Sequence, residues 1–274
     1  MPKNKLKKFA ELKTFSNVLQ STKPQIIDWQ KHFGNNNPIT LELACGKGDY
    51  TLGLARLYPD RNFIGIDIKG ARIWRGAKTA LEEKLTNVAF LRAQIQFLDK
   101  YFIANNITKS SPLLKRGGGQ GVVMKNLGAQ DILSTKKLTQ KSQHIITDIW
   151  ITFPDPFPRK RDIKRRLTSL RFLKIYKKIL TPHGLLHLKT DDLNLFEYSL
   201  ETAIAENWEI KKSINNLYAS LSFRAKRSGD PESRKKIINP ITDIQTFYEQ
   251  QHLQSGKTIN YSCLAPKPSS STRP

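Results

Sequence analysis

Acidic residues are scarce in this chain: 23 Asp and Glu stand against 46 Lys and Arg in 274 residues, a formal net charge of +23. That imbalance makes a polyanion the first partner to consider, because every phosphate neutralised by a cation releases counterions. An anionic membrane surface is the rival. Long apolar runs are also missing, and no stretch approaches the roughly 20 residues that span a bilayer, so no membrane partner is expected. The N-terminus, MPKNKLKKFAE, has neither the apolar centre nor the small-residue cleavage site of a secretory leader. Cysteine is nearly absent: Cys45 and Cys263 give no disulfide framework and fit a reducing, cytoplasmic setting. Neither they nor His183, His187 and His252 form a ligand set, so no metal is expected. The chain is read as a monomer.

What is present is an alternation of strands and helices. ITLELA (39–44), NFIGID (62–67), VAFLR (88–92), IITDIWITF (145–153), LLHLKT (185–190) and TINYSCL (258–264) read as strands. Helical periodicity marks a segment after CGKGDY, then 71–84, 169–180, a segment reaching Glu206 with Asp191 or Asp192 as its cap, and IQTFYEQQHL. A short helix is read near 26–33, and Thr181 to Gly184 as a turn. Such alternation predicts an α/β fold with a mostly parallel sheet. The pattern divides the chain into a basic N-terminal arm (1–38), one domain (39–265) and a Pro/Ser-rich disordered tail (266–274). Two basic, turn-rich stretches, at about 109–143 and 222–240, read as mobile insertions.

The strongest local motif is Glu42-Leu-Ala-Cys-Gly-Lys-Gly48, a strand running into a helix through a glycine loop. Gly46 and Gly48 let the backbone turn tightly and approach a ligand. Asp67, about 20 residues beyond Gly46 at the end of the next strand, has the spacing of an acid that holds ribose hydroxyls. A dinucleotide loop wants a third glycine, and Thr51 occupies that slot. Glu42 would repel a pyrophosphate but suits a cationic adenosine cofactor, S-adenosylmethionine. Alternatively, Glu42 is a half-buried strand acid paired to a lysine. Cys45 reads as a packing residue.

Thr152-Phe-Pro-Asp-Pro-Phe157 follows the fourth of these strands and puts Asp155 at its carboxyl end, where open α/β sheets bind ligands. It differs from the Asn/Asp-Pro-Pro-aromatic motif used on exocyclic amines. Arg159, Lys160, Arg161, Lys164, Arg165 and Arg166 come next, a run suited to phosphates unless it is only a solvated face.

Taken together, LELACGKGDYTLGLA, NFIGIDIKGARIWRGAKTALEE, WITFPDPFPRKRDIKRRLT, LLHLKTD and TFYE resemble the bacterial tRNA (guanine-N7-)-methyltransferase family. The resemblance implies a Rossmann-like class I methyltransferase fold with a seven-stranded sheet. It implies methyl transfer from S-adenosylmethionine to N7 of a guanine in the tRNA variable loop, at the tRNA position numbered 46. Carried over residue by residue, Glu42, Gly46, Gly48, Asp67, Gln94 and Asp155 bind the cofactor and Asp155 is catalytic. Arg159, Arg161, Lys164, Arg165, Arg166, Asp191, Thr246, Phe247, Tyr248 and Glu249 bind the substrate. Three positions depart from the family pattern. Ala44 replaces the first loop glycine and is tolerable if its φ is negative; Gln94 replaces an acid; Phe157 replaces a common Trp. The alternatives are a non-catalytic RNA-binding protein with a degenerate pocket and a methyltransferase for another substrate.

Overall fold

The computed structural model describes residues 3–21, 23–102, 146–219 and 239–268. Eight strands form one sheet: β1 (Val18–Gln20), β2 (Ile39–Leu43), β3 (Asn62–Asp67), β4 (Val88–Arg92), β5 (Ile146–Thr152), β6 (Leu180–Thr190), β7 (Trp208–Ile214) and β8 (Asn260–Pro266). Their order is β1-β4-β3-β2-β5-β6-β8-β7. Pairing is parallel except where β8 meets β6 and β7. Every residue of β2 and β3 is buried. Such near-continuous apolar runs are what a parallel strand covered on both faces requires.

The helices are α1 (Lys3–Leu12), α2 (Trp29–Phe33), α3 (Asp49–Leu57), α4 (Gly70–Glu82), α5 (Asp99–Phe102), α6 (Leu170–Ile179), α7 (Leu193–Ala205), α8 (Pro240–Asp243) and α9 (Phe247–Gln254). Alternate residues of each strand serve opposite faces. Ile64, Ile66, Ala89 and Leu91 join Leu173 and Tyr176 of α6 in one apolar cluster. Phe63, Val88 and Phe90 join Leu54 of α3 and Ile73 and Ala77 of α4 in the other. Asp192 caps α7, its carboxylate accepting the Leu195 N–H at 2.6 Å.

The sheet has eight strands, not the expected seven. The extra one comes from the segment read as an arm: β1 adds to the edge of β4, with Val18 opposite Phe90. Ahead of it, α1 lies on α4, where Leu12 is buried and Glu11 accepts the indole N–H of Trp74 at 2.8 Å. A three-residue strand beside a lysine-rich helix carries too little periodicity to be read in advance. β7 also escaped the sequence reading, because its exposed positions are charged and leave a weak pattern. The turn expected at Thr181 to Gly184 lies inside β6, as an irregularity of the pairing with β5. Pro266, assigned to the disordered tail, ends β8 opposite Trp208. Both segments read as insertions fall outside the described residues, except 239 and 240.

The sheet order reverses between β2 and β5. β2 runs to β3 on one side, β5 runs to β6 on the other, and the connections leave in opposite directions. Such a switch point opens a crevice at the carboxyl ends of the strands. The Glu42–Gly48 loop leaves one side of it and the Pro-Asp-Pro loop the other.

Candidate active site

Glu42, near the end of β2, is buried on all sides. Its Oε2 accepts the Thr51 N–H at 2.8 Å and the Thr51 hydroxyl at 2.5 Å, and its Oε1 accepts the Thr152 hydroxyl at 2.9 Å. All three donors are uncharged, and no cation lies within ion-pair distance among the described residues. The pairing to a lysine considered above is therefore absent. Desolvation outweighs these donors and raises the carboxyl pKa to about 7.

The loop above it is shaped by backbone conformation. Ala44, Gly46 and Gly48 all have positive φ, at 56°, 59° and 75°. The condition set for Ala44, a negative φ, is not met: alanine occupies a left-handed position, at a cost of about 1 kcal/mol. Gly48 begins α3, and a Cβ there would lie 2.6 Å from Phe90 Cε1. Gly76 of α4 was not singled out by sequence, yet a Cβ on it would meet the Lys47 carbonyl at 2.2 Å. α4 packs directly under the loop, and a small residue is required for that. Cys45 is buried and its thiol pKa is pushed up, chiefly by burial, in keeping with packing.

Asp67 ends β3 with its carboxylate at the lip of the crevice. It accepts the N–H of Gly46 at 3.0 Å and of Lys69 at 2.8 Å. A carboxylate offers about four lone-pair sites, so it keeps acceptor capacity for a ligand. A cleft of about 420 Å³ gathers Ala44, Asp67, Gln94, Phe157, Lys164 and Arg165. Gln96, Arg171 and Phe172 also line it and were not predicted. Gln94 accepts from the Gln96 amide at 2.7 Å.

Asp155 is exposed beside this cleft, and its Oδ1 accepts the Phe157 N–H at 3.2 Å. Phe153 and Phe157, on either side of it, have φ of 49° and 42°. Two non-glycine residues in the left-handed region within five positions store strain, and such strain persists only where the surroundings hold it. Arg166 is what holds it. The side chain is buried, and its guanidinium donates to the carbonyls of Pro156 at 2.9 Å and Phe157 at 3.3 Å while lying over Tyr198 at 4.5 Å. Expected at the phosphates, Arg166 instead turns inward as a clamp. Arg165 stays outside, stacked over Phe157 at 4.4 Å. Arg159, the N-cap of a 3-10 helix (Lys160–Arg165), and Arg161 in its first turn are both exposed.

The remaining predicted residues group around α9. Thr246 caps that helix, accepting the Glu249 N–H at 3.1 Å. Glu249, with no solvent exposure, lies 2.6 Å from Lys189 Nζ and accepts the Tyr218 hydroxyl at 2.7 Å. Lys189 also donates to the Ile241 carbonyl at 2.8 Å. Thr246 and Glu249 thus fix α9 to β6 from within, while Phe247 and Tyr248 remain exposed. Lys189 and Tyr218 escaped the sequence reading. The available signal was a lysine inside the apolar strand LLHLKT, which has to be paired. Asp191 pairs with Lys257 at 2.7 Å and has His252 Nδ1 at 3.5 Å. His252 in turn packs on Phe153 with ring centroids 5.6 Å apart, joining this group to the Pro-Asp-Pro loop.

Among the described residues, no helix is long and apolar enough to cross a membrane, and no group of three or more His, Cys, Asp and Glu is placed to hold a metal ion.

Known proteins agree with this architecture. A family profile described as "Putative methyltransferase" matches residues 36–111 and 121–260. The chain is 39% identical over 268 residues to the tRNA (guanine-N(7)-)-methyltransferase of Christiangramia forsetii, covering 94% of this chain and 96% of that one. Against the protein of the same name from Bacteroides thetaiotaomicron it is 33% identical, covering 95% and 85%. Among solved structures, the 16S rRNA methyltransferase KamB superposes with a TM-score of 0.54 at 10% identity, over 92% of this chain and 99% of that one. A 16S rRNA (adenine(1408)-N(1))-methyltransferase from Catenulisporales acidiphilia does so with a TM-score of 0.52 at 11% identity, over 95% and 97%. The structural likenesses establish the class I methyltransferase fold, and the sequence relatives establish more: this chain belongs to the tRNA (guanine-N(7)-)-methyltransferase family.

Proposed function

We propose that the chain transfers a methyl group from S-adenosylmethionine to N7 of a guanine in the variable loop of tRNA, acting in the cytoplasm as a monomer. The observation that carries this reading is the single cleft shared by Asp67, Gln94, Lys164 and Arg165, next to the Asp155 loop. It brings an adenosine-type subsite and a cationic rim to the same strand ends.

The residues present fit the cofactor. Glu42 is an acid without a counter-cation below the loop among the described residues, so a cationic ligand above it favours its ionised form. Both its oxygens are already engaged, and it acts on the ligand by charge. Asp67 has acceptor sites left for ribose hydroxyls, and Ala93, Ile95 and Phe172 supply apolar wall for a base. When bound, S-adenosylmethionine supplies a methyl on a cationic sulfur, which N7 can take up through its lone pair without losing a proton. The protein's tasks are then alignment and charge placement. Asp155, on the strained loop beside the cleft, is the carboxylate assigned to stabilising the guanine as it becomes cationic. Lys164 and Arg165 at the rim, with Arg159 and Arg161 beyond it, supply phosphate contacts.

Incubation with tRNA and methyl-labelled cofactor, followed by aniline cleavage at N7-methylguanine, tests the reading. The expected result is one cleavage site within the variable loop. Label on an adenine or cytosine, or label on a small molecule in preference to tRNA, would replace it with another methyltransferase; no transfer with RNA binding intact would favour the non-catalytic alternative.

A further inference from the structure

We propose that a second basic face, built by α1 and α4 and continuous with the cofactor loop, docks the body of the RNA substrate away from the catalytic cleft. The proposal rests on tRNA being the substrate. Between α1, α4 and the loop runs a cleft of about 450 Å³ lined by Lys8, Lys47, Arg72, Trp74, Arg75 and Phe247. Arg72 and Arg75 are three residues apart on α4 and so share a face. Both are exposed, and neither they nor Lys8 or Lys47 have an ion-pair partner among the described residues. The two acids nearby are already engaged. Glu11 accepts from Trp74 and lies 3.3 Å from Lys78, and Asp49 accepts the Phe247 N–H at 3.2 Å. Asp49 also lines the cleft and a backbone N–H leaves its charge in place, so Lys8, Lys47, Arg72 and Arg75 face one unpaired carboxylate and the balance stays positive.

Aromatic rings are interleaved with the cations. Lys8 and Lys78 lie over the Trp74 ring at 4.5 and 5.3 Å, and Lys47 lies over Phe247 at 4.6 Å. A face that combines unpaired cations with aromatic planes suits nucleic acid, where phosphates meet the charges and bases or riboses meet the rings. Lys47 sits between Gly46 and Gly48, so the face begins at the cofactor loop. A partner seated on the Asp155 rim and on this face spans both sides of the loop. A substrate longer than one nucleotide can do that and a metabolite cannot. The face also explains why α1 and β1 are built into the fold: they fix Lys8 beside α4.

The test uses the full chain with Lys8→Ala, Arg72→Ala and Arg75→Ala together, none of which orphans a carboxylate. Binding of tRNA is measured by fluorescence anisotropy over a salt series, with calorimetry of S-adenosylmethionine as the control for the fold of the cofactor site. The expected outcome is affinity about tenfold weaker near physiological salt, a salt slope shallower by about two to three, and a raised KM for tRNA with cofactor affinity unchanged. An unchanged affinity and slope in a variant that still binds the cofactor overturns the proposal while leaving the tRNA reading intact. Failure of the unsubstituted chain to bind tRNA overturns both. Loss of binding to phosphatidylserine vesicles with tRNA affinity unchanged assigns the face to a lipid surface and also overturns it.

Discussion

Burying Glu42 among hydroxyls and one amide costs stability that a neutral side chain would not. Its proton is favoured in the folded chain, so its contribution to stability is full below about pH 4.5 and is lost as pH rises through about 7. The corresponding cost at pH 8 is about 3 kcal/mol at most. Glu42→Gln should therefore raise Tm by several degrees at pH 8 and by little at pH 5, read by thermal denaturation at the two pH values. The same substitution should weaken S-adenosylmethionine binding. Cation binding favours the ionised carboxylate, so affinity in the unsubstituted chain should fall as pH drops below about 7, by up to about tenfold per unit. Calorimetry from pH 6 to 8 reads this directly. A flat profile, or the same slope in the Glu42→Gln protein, removes Glu42 from cofactor recognition. This residue was legible in the sequence as a site acid, but its lack of a cation was not. That depends on which side chains reach beneath the loop, and a strand acid followed by Lys47 reads equally well as a pair.

At the scale of single elements, the loop after β5 and the helix α9 are each fixed by a buried charge. Arg166 binds two carbonyls of the Pro-Asp-Pro-Phe turn and stacks on Tyr198, so it positions Asp155 and is not counted among the phosphate contacts. Lysine keeps the charge but cannot span both carbonyls. Arg166→Lys should lower kcat about tenfold or more, with the salt dependence of tRNA binding unchanged; a shallower slope without a change in kcat would return Arg166 to the RNA-contacting run. The α9 anchor is the Lys189–Glu249 pair, fully enclosed. Desolvation pulls the lysine pKa down and the adjacent carboxylate partly opposes it. Glu249→Ala leaves an uncompensated buried cation and should cost about 3–5 kcal/mol. Lys189→Met with Glu249→Leu should recover much of that in chemical denaturation. A Glu249→Ala protein of full stability would contradict the anchoring role. The sequence marked this segment only through its resemblance to the family's TFYE positions. Thr246 is a helix cap in the fold, and the glutamate turns to a lysine 60 residues away, a pairing that no local pattern records.

For the whole molecule, the central strands and their loops were readable because period-2 burial and glycine turns are local signals. β2, β3 and β4 begin at the expected residues. The edges were not readable. β1 is three residues long, β7 is charged along its exposed face, and both are held by neighbours distant in sequence. Of the candidate site, the stretches legible in the sequence were those adjacent in the chain, Glu42 to Gly48 and Asp155 to Arg165, which flank the crevice, and what was not legible was the direction of a side chain, as for the inward-turned Arg166. Packing α1 and β1 beside α4 and β4 adds cationic side chains next to the candidate crevice. In the proposed reaction, methyl transfer depends on Asp155 at the lip of that crevice. Single-turnover methyl transfer by Asp155→Ala, at saturating tRNA and cofactor, measures this most directly. The predicted result is a rate about a hundredfold lower or more, with tRNA and cofactor affinities within about twofold. Transfer at a near-normal rate would place the chemistry elsewhere.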